Sequence, residues 1–526
     1  MQSLVALIAQ FRSSHLETLL TSVCLLLLPV LVLAARRELA TLIPRRSKRE
    51  IGALLLVLAV ALALRVHPMA DPFQHRVYFD EWEYMANARS ILLDGQASVC
   101  VRGTIEHCLQ PAISPNNKIG FTVLQAFAFS LAGISERTAM YLTLAASVAS
   151  VALAWLLAAT LFPGERWSPL TAAVFLTVLP LHIRYSTCAA TESMSLFFGG
   201  LAMLAGLAAA HTPSRRTQYL AAVTFILAVT VRYENVLLIA PLALLLRRTK
   251  GARGPAVLTL VLVSSFLLAY FSSVNVDDAT PFTTSITVLA RSVRASVPLW
   301  LGKDHHPLLL TALALIALWQ APRDRSRLLL LAWLVPFVML YALHDWPMDI
   351  WDQDRHMLQG YFPIVLLAAA GVDALRKFMG GGSDRFVALV ALVMVASSLS
   401  LLTSCPGQGC RDYVVRELEF ALAHREIRPQ CVIVAPTPVF INWIWKRRAV
   451  YFERFDDVDD ILARGECAIL HENFYCDPGE LGPAKVYWRI PAVCDAYRER
   501  YDVRTILEDI DGPYPIRLST LSSKGS

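Results

Sequence analysis

The sequence predicts a polytopic α-helical membrane protein that carries a small exterior α/β domain at its C-terminal end. Three observations predict it. Apolar stretches of roughly 16–22 residues recur from Leu19 to Leu402, each long enough, or nearly so, to span a bilayer as a helix. Only 17% of the 526 residues are charged and 56% are hydrophobic, whereas soluble proteins carry about 25% charged residues; the mean hydropathy is +0.49. After residue 403 the chain turns polar, and short apolar runs alternate with helix-like segments.

The first apolar stretch, Leu19 to Ala35, lacks a small-residue cleavage signature before its basic flank. It therefore reads as a retained helix within an N-terminal section, 1–50, that ends in a basic cytoplasmic loop. Basic clusters then fix the orientation of the later spans. They fall at Arg36-Arg37 with Arg45-Arg46-Lys48-Arg49, at Arg215-Arg216, at Arg247-Arg248-Lys250, at Arg323-Arg325-Arg327 and at Arg376-Lys377. Short loops rich in Arg and Lys stay in the cytoplasm. The alternating segments, about 67–138, 184–192, 232–234, 275–306, 344–357 and everything after about 403, are then exterior. The apolar piece Ile119 to Leu131 becomes a juxtamembrane or half-inserted helix. The count is roughly 12 spans with both termini outside. A net charge of +6 spread over such loops orients helices and is no nucleic-acid signal. The expected setting is the inner (plasma) membrane, multi-pass, with the bilayer itself as a partner.

The body therefore covers 51–402, with 67–138 as its first exterior loop, and the exterior domain covers 403–526. In that domain Cys431–Val434, Ala449–Phe452 and Cys467–Leu470 read as strands. Val439–Trp445, Val458–Ala463 and Val493–Tyr501 read as helix or turn, followed by the extended run Val503–Leu507. This alternation predicts a largely parallel sheet. Of ten cysteines, eight fall in exterior segments, which implies an oxidising compartment. The spacings of Cys100 with Cys108 and of Cys405 with Cys410 allow short closed loops, and Cys476 with Cys494 is a third candidate pair.

The chemistry concentrates at the exterior edge. Phe79-Asp80-Glu81-Trp82-Glu83-Tyr84-Met85 sets adjacent carboxylates where an apolar chain meets water. On a helix, Asp80, Tyr84 and Ala88 share a face and Glu81 lies beside it. A half-buried carboxylate there suits a general base; a solvated acidic cap at a helix start is the alternative. Further charges collect on the same side: Arg184 and Glu192, Arg232 and Glu234, Lys303, His305 and His306, and Asp352, Asp354, Arg355 and His356. Each one alone reads as a helix-end anchor, but charges at a membrane edge are costly and usually paired or functional. Carboxylates can deprotonate a nucleophile, and Arg, Lys and His can hold a phosphate as it leaves. An exterior site with both suits a lipid-phosphate donor.

Three motifs then carry a resemblance. The first is Asp80-Glu81 followed by Tyr84 and Met85-Ala86-Asn87-Ala88. The second is Pro180-Leu181-His182-Ile183-Arg184 leading to Thr191-Glu192-Ser193. The third is Arg355-His356-Met357 before Tyr361-Phe362-Pro363 and Ala368-Ala369-Ala370-Gly371. Over about 50–375 the layout resembles the GT-C glycosyltransferases, in particular the protein O-mannosyltransferase and aminoarabinose-transferase branch. The resemblance implies a GT-C-like body and inverting transfer of a sugar from a polyprenyl-phosphate donor to a glycan, lipid or protein acceptor on the exterior face. It implies Asp80 as base and Glu81 as the group that orients the acceptor or tunes Asp80. It implies Arg355, with Lys303 or His305, as the phosphate clamp, and Glu192 as a ligand to sugar hydroxyls or to a divalent cation. No cofactor is required, although a divalent cation is compatible. Tyr84, Arg184, Arg232, Glu234 and His356 complete the expected substrate-binding set. A transporter or flippase of lipid-linked sugars and a non-catalytic assembly scaffold are the rival readings. The broken, repeated midplane helices of transporters are not evident in the sequence.

Overall fold

A computed structural model describes residues 16–42, 47–66, 77–112, 118–247, parts of 290–302, 306–320, 324–343, 353–380, 384–403, 412–473, 475–476, 489–510 and 515–524. The chain divides into two packed units. One comprises residues 1–74 and 118–409, and the other comprises 75–117 and 410–526. The expectation of a first exterior loop inserted whole in the helical body is therefore redrawn. Its stretch 75–117 packs with the C-terminal tail, whereas the remainder from Lys118 onward stays with the helices.

The helical unit is built from apolar segments. Glu136–Leu161, Glu192–His211, Arg355–Phe378 and Asp384–Leu402 are each long and apolar enough to cross a membrane among the described residues. A fifth span results if the helix through Ala34 and the helix Arg36–Leu42, bent by 67° at their junction, count as one. Part of the expected set of about 12 falls on residues 248–289, outside the described residues. The piece Ile119–Ala132 forms a helix of 14 residues, about 21 Å long at 1.5 Å per residue, against a hydrocarbon thickness of about 30 Å.

Small residues and buried caps hold these helices together. At Gly371 an added Cβ would lie 2.0 Å from the Leu313 carbonyl, so the helices Leu308–Gln320 and Leu358–Phe378 meet backbone to backbone, as membrane helices do at small residues. Asp373, fully buried, accepts from the backbone N–H groups of Trp167 (3.0 Å) and Ser168 (2.8 Å) and from the Ser168 hydroxyl (3.0 Å). It thereby satisfies donors left open at the start of the helix Ser168–Val178.

The second unit is a seven-stranded sheet with the order β2-β1-β4-β3-β5-β7-β6. Its strands are β1 Val99–Gly103, β2 Cys108–Ala112, β3 Val432–Ala435, β4 Ala449–Tyr451, β5 Ala468–Glu472, β6 Tyr501–Asp509 and β7 Ile516–Ser523. Among the described residues β3 pairs in parallel with β4 and β5, and the other neighbours pair antiparallel. The sheet is thus mixed, which corrects the expectation of a largely parallel one. The parallel rule holds at the centre, where β3 and β5 are buried along their whole length and read as continuous apolar runs. Antiparallel strands were added at both edges, from the first loop and from the chain's last segment. The core beneath gathers Val432, Val434, Val450, Val458, Ile461, Leu470 and Tyr497.

Cys100 pairs with Cys108 and Cys476 with Cys494, as the spacing suggested; a third bond joins Cys431 to Cys467. This last bond links the residues just before β3 and β5, two adjacent parallel strands. Cys405 and Cys410 lie outside the described residues. Cys24 and Cys188 are buried and form no disulfide among the described residues.

Candidate functional site

In the helical unit the structure brings Glu192, Arg232, Glu234, Arg355 and His356 into one network. Glu192 opens the helix Glu192–His211 and is fully buried. Arg232 follows the last turn of Arg215–Val231 in extended backbone, which turns its side chain away from the helix row. Glu234 is the second residue of the two-turn 3-10 segment Tyr233–Leu238. Arg355 and His356 close the 3-10 segment Gln353–Met357, just ahead of the helix Leu358–Phe378. Four chain segments therefore deliver their charges at element ends, where the backbone departs from regular structure.

Arg232 is the hub. Its Nη1 donates to Glu192 Oε1 at 2.8 Å, its Nε stands 3.3 Å from Glu234 Oε1, and its Nη2 donates to His356 Nδ1. Arg355 Nε lies 3.5 Å from the same Glu192 oxygen, and His356 Nδ1 lies 3.5 Å from Glu234 Oε1. A guanidinium always carries its protons, so Nδ1 of His356 accepts, and the neutral ring holds its proton on Nε2. Two guanidinium groups and two carboxylates thus cancel in charge, which is how buried charges are tolerated.

The network is not saturated. Glu192 Oε2, Glu234 Oε2 and His356 Nε2 are buried and have no hydrogen-bond partner among the described residues. They present two acceptors and one donor. Buried polar atoms are nearly always satisfied, so these three mark a place where a polar ligand fits. Sequence reasoning did not single out several neighbours. Gln359 donates to the Glu192 carbonyl at 3.4 Å. The Tyr341 ring packs edge-on to His356 with centroids 6.0 Å apart. Lys118 Nζ sits 4.6 Å over the Tyr233 ring. Asn235 bridges Ser195 Oγ (2.7 Å) and the Ala228 carbonyl (2.8 Å). Asn235 stands one position from a predicted acid, and that proximity was its only signal. Arg184 is half-buried at the end of the short helix Pro180–Arg184. Lys303 and His305 lie outside the described residues.

A second cluster was not legible as one in the sequence, although its His182 stands in the second motif. Arg65 is buried and donates through Nε to Ser147 Oγ (2.7 Å), through Nη1 to the Ala61 and Thr177 carbonyls (2.9 and 3.3 Å) and through Nη2 to His182 Nδ1 (2.9 Å). His182 Nε2 is 2.9 Å from Ser147 Oγ, so one arginine ties three helical segments together.

The carboxylate pair belongs to the other unit. Asp80 and Glu81 lie in the first turn of the helix Tyr78–Asp94. Asp80 is half-buried, while Glu81 is fully buried and accepts the Val77 N–H at 2.7 Å. Glu81 therefore closes the start of its own helix, where open N–H groups favour a carboxylate. Tyr84 and Ala88 are buried on the face expected for them. The tail anchors this helix. Trp82 packs edge-on against Phe440, with centroids 5.4 Å apart. In the same unit β1 pairs with β4 through Arg102↔Val450 and Gly103↔Ala449, and Arg102 Nη1 meets Asp457 Oδ1 at 2.6 Å.

The chain shares its fold with solved structures of two transferases, an ArnT and an archaeal oligosaccharyltransferase. ArnT from Cupriavidus metallidurans bound to undecaprenyl phosphate matches with a TM-score of 0.53 at 13% identity, over 90% of this chain and 97% of that one. Its apo state matches with a TM-score of 0.56 at 13% identity, over 90% and 98%. The Archaeoglobus fulgidus oligosaccharyltransferase in its apo form matches with a TM-score of 0.50 at 11% identity, over 86% and 73%. At such identities the likeness is one of fold. No family model matches the chain, and no curated protein matches it in sequence.

Proposed function

We propose that this chain is an inverting membrane glycosyltransferase that takes a sugar from a polyprenyl-phosphate donor and passes it to an acceptor on the exterior face of the membrane. The observation that carries the reading is the unsaturated network of Glu192, Arg232, Glu234, Arg355 and His356 in a body of GT-C fold. A similarly folded protein, ArnT, was found bound to undecaprenyl phosphate.

In this reading Arg355 holds the donor's phosphate, a role that the sequence resemblance extends to Lys303 or His305. Its planar group can grip two oxygens at once, and its charge offsets the charge that grows on the leaving group. His356 donates from Nε2 to the same anion. Glu192 and Glu234 accept from sugar hydroxyls through their remaining oxygens, while Arg232 holds both in place. The sequence resemblance gives the acceptor's proton to Asp80, in the first turn of the helix Tyr78–Asp94. Glu81, committed to its helix start, sets the angle at which Asp80 is presented. Arg184, half-buried, is assigned to the donor, and Tyr84, buried one turn beyond Asp80, supports that residue from the same helix face. The reading assigns no step to a metal ion.

The acceptor remains open among glycan, lipid and protein. The direct test is turnover of a polyprenyl-phosphate sugar by the purified chain in lipid nanodiscs, with release of polyprenyl phosphate as the readout. Movement of the lipid-linked sugar across vesicles without its cleavage would replace this reading with that of a flippase.

A further inference from the structure

Two further buried polar atoms beside the ion network lack a hydrogen-bond partner among the described residues: Tyr341 Oη and Asn235 Oδ1. Tyr341 stands in the last turn of the helix Arg325–Leu343 and is buried. Its ring lies edge-on to His356, with centroids 6.0 Å apart. The charged groups that act on it are Glu234, Arg232, Glu192 and Arg355, which are the members of the network. A fifth chain segment thus brings a polar group to the same place by its end. Asn235 follows Glu234. Its Nδ2 is taken up by Ser195 Oγ, one turn on from Glu192, and by the Ala228 carbonyl, so its Oδ1 is left over.

Packing alone gives no reason for a phenol at position 341, because Phe would fill the same ring volume. A buried hydroxyl without a partner costs free energy, and buried polar groups are nearly always satisfied. The kind of partner follows from what the atoms can do. In the proposed mechanism His356 Nε2 donates to the donor's phosphate. The four atoms that remain, Glu192 Oε2, Glu234 Oε2, Asn235 Oδ1 and Tyr341 Oη, can all accept, and only the phenol can also donate. A phosphate offers negative charge and acceptors, and two carboxylates would repel it. A prenyl chain offers these atoms nothing. A sugar ring carries hydroxyls that donate to carboxylate and amide oxygens and accept from a phenol, so it alone of the donor's three parts matches the set.

We propose that the Tyr341 hydroxyl is a substrate-binding group of this site and pairs with a hydroxyl of the donor's sugar. That the sugar arrives on a lipid phosphate rests on the transferase reading; the demand of the buried phenol for a polar partner does not.

The test compares Tyr341→Phe with the unaltered full chain, both in lipid nanodiscs. Binding is titrated with bare undecaprenyl phosphate and with undecaprenyl phosphate carrying glucose, mannose or arabinose. For at least one sugar the unaltered chain should bind the sugar-bearing lipid about tenfold or more tightly than the bare lipid. Tyr341→Phe should weaken that binding about three- to tenfold, the share of one hydrogen bond, and leave binding of the bare lipid as it was. The melting midpoint of the ligand-free variant should hold or rise, because the hydroxyl it lacks had no partner. Tyr219→Phe removes an exposed phenol near the start of the helix Arg215–Val231, at the far end from Arg232; as the control it should change neither quantity. Unchanged sugar binding in Tyr341→Phe overturns the proposal. So does equal weakening for bare and sugar-bearing lipid, or no preference for any of the three sugars. A midpoint lower by about 2 °C or more overturns it as well, since the hydroxyl then has a partner in the empty chain. A chain whose sugar preference depends on Tyr341 but which releases no polyprenyl phosphate on turnover keeps the binding role and removes the transferase reading.

Discussion

Removing the Arg232 charge should destabilise the helical unit more than any other single change in its network. Arg232 and Glu192 have side chains 3% and 1% exposed and are 2.8 Å apart; Glu234 is 3.3 Å away on the other side. At an effective dielectric of about 20, unit charges at those separations attract by roughly 6 and 5 kcal/mol. Desolvation of three charges offsets much of that gain. Losing one partner, however, leaves the others buried without compensation, at a net cost of about 3–5 kcal/mol. Glu192 keeps Arg355 at 3.5 Å, so the larger loss falls on Glu234. Arg232→Met retains the volume and removes the charge. Its melting midpoint in detergent should fall by about 5 °C or more. The triple variant Arg232→Met, Glu192→Gln, Glu234→Gln should recover at least half of that drop, because its carboxylates no longer need a counter-charge. A midpoint unchanged in Arg232→Met, or no recovery in the triple variant, would refute the claim that these carboxylates depend on Arg232.

Asp80→Asn should keep the fold and lower turnover about 10²–10⁴-fold. The exposed Glu106→Gln in the same loop is its control. Glu83, three residues on in the same helix, is 5% exposed and would confound stability with chemistry. Equal turnover in Asp80→Asn and Glu106→Gln would remove Asp80 as the base. Arg355→Ala should lower turnover roughly 10²-fold, while Arg376→Ala, whose partner is Asp373 at 3.4 Å, should act mainly on thermal stability; the reverse pattern would remove the phosphate clamp. Replacing Cys431 and Cys467 together with Ala should cost the tail about 2–4 kcal/mol, read as a lower denaturant midpoint of the tail, and a midpoint that stays put would show that the sheet holds without this bond. Non-reducing peptide mapping should recover Cys100 with Cys108 and Cys476 with Cys494, and free thiols at those four positions would contradict the oxidised tail.

The sequence by itself determined what depends on local composition and period. Long apolar runs with few charges can only satisfy their backbone as helices in lipid, so the spans through Glu136–Leu161 and Glu192–His211 were legible. The short buried runs at Val432–Ala435 and Ala468–Glu472 were legible as strands for a similar reason, and the Cys100 and Cys476 loops were legible from spacing. The predicted acids and bases at Glu192, Arg232, Glu234, Arg355 and His356 were found singly, because a charge beside an apolar span stands out. Their joining into one network was not legible. Period and composition say which face of an element is apolar, but not which distant element will meet it. That Arg232 turns to both Glu192 and Glu234 depends on how four helix ends come together. That Arg65 reaches His182 and Ser147 depends on three helices crossing at one level. The placement of the acidic helix shows the difference most clearly. Asp80 and Glu81 announced themselves in the sequence beside an apolar span. Only the tertiary structure paired β1 with β4 and set Arg102 against Asp457, 355 residues away along the chain, so that this helix is held by the tail. The bonds that do this are backbone pairing between strands and one half-buried ion pair, and neither leaves a periodic trace in the sequence.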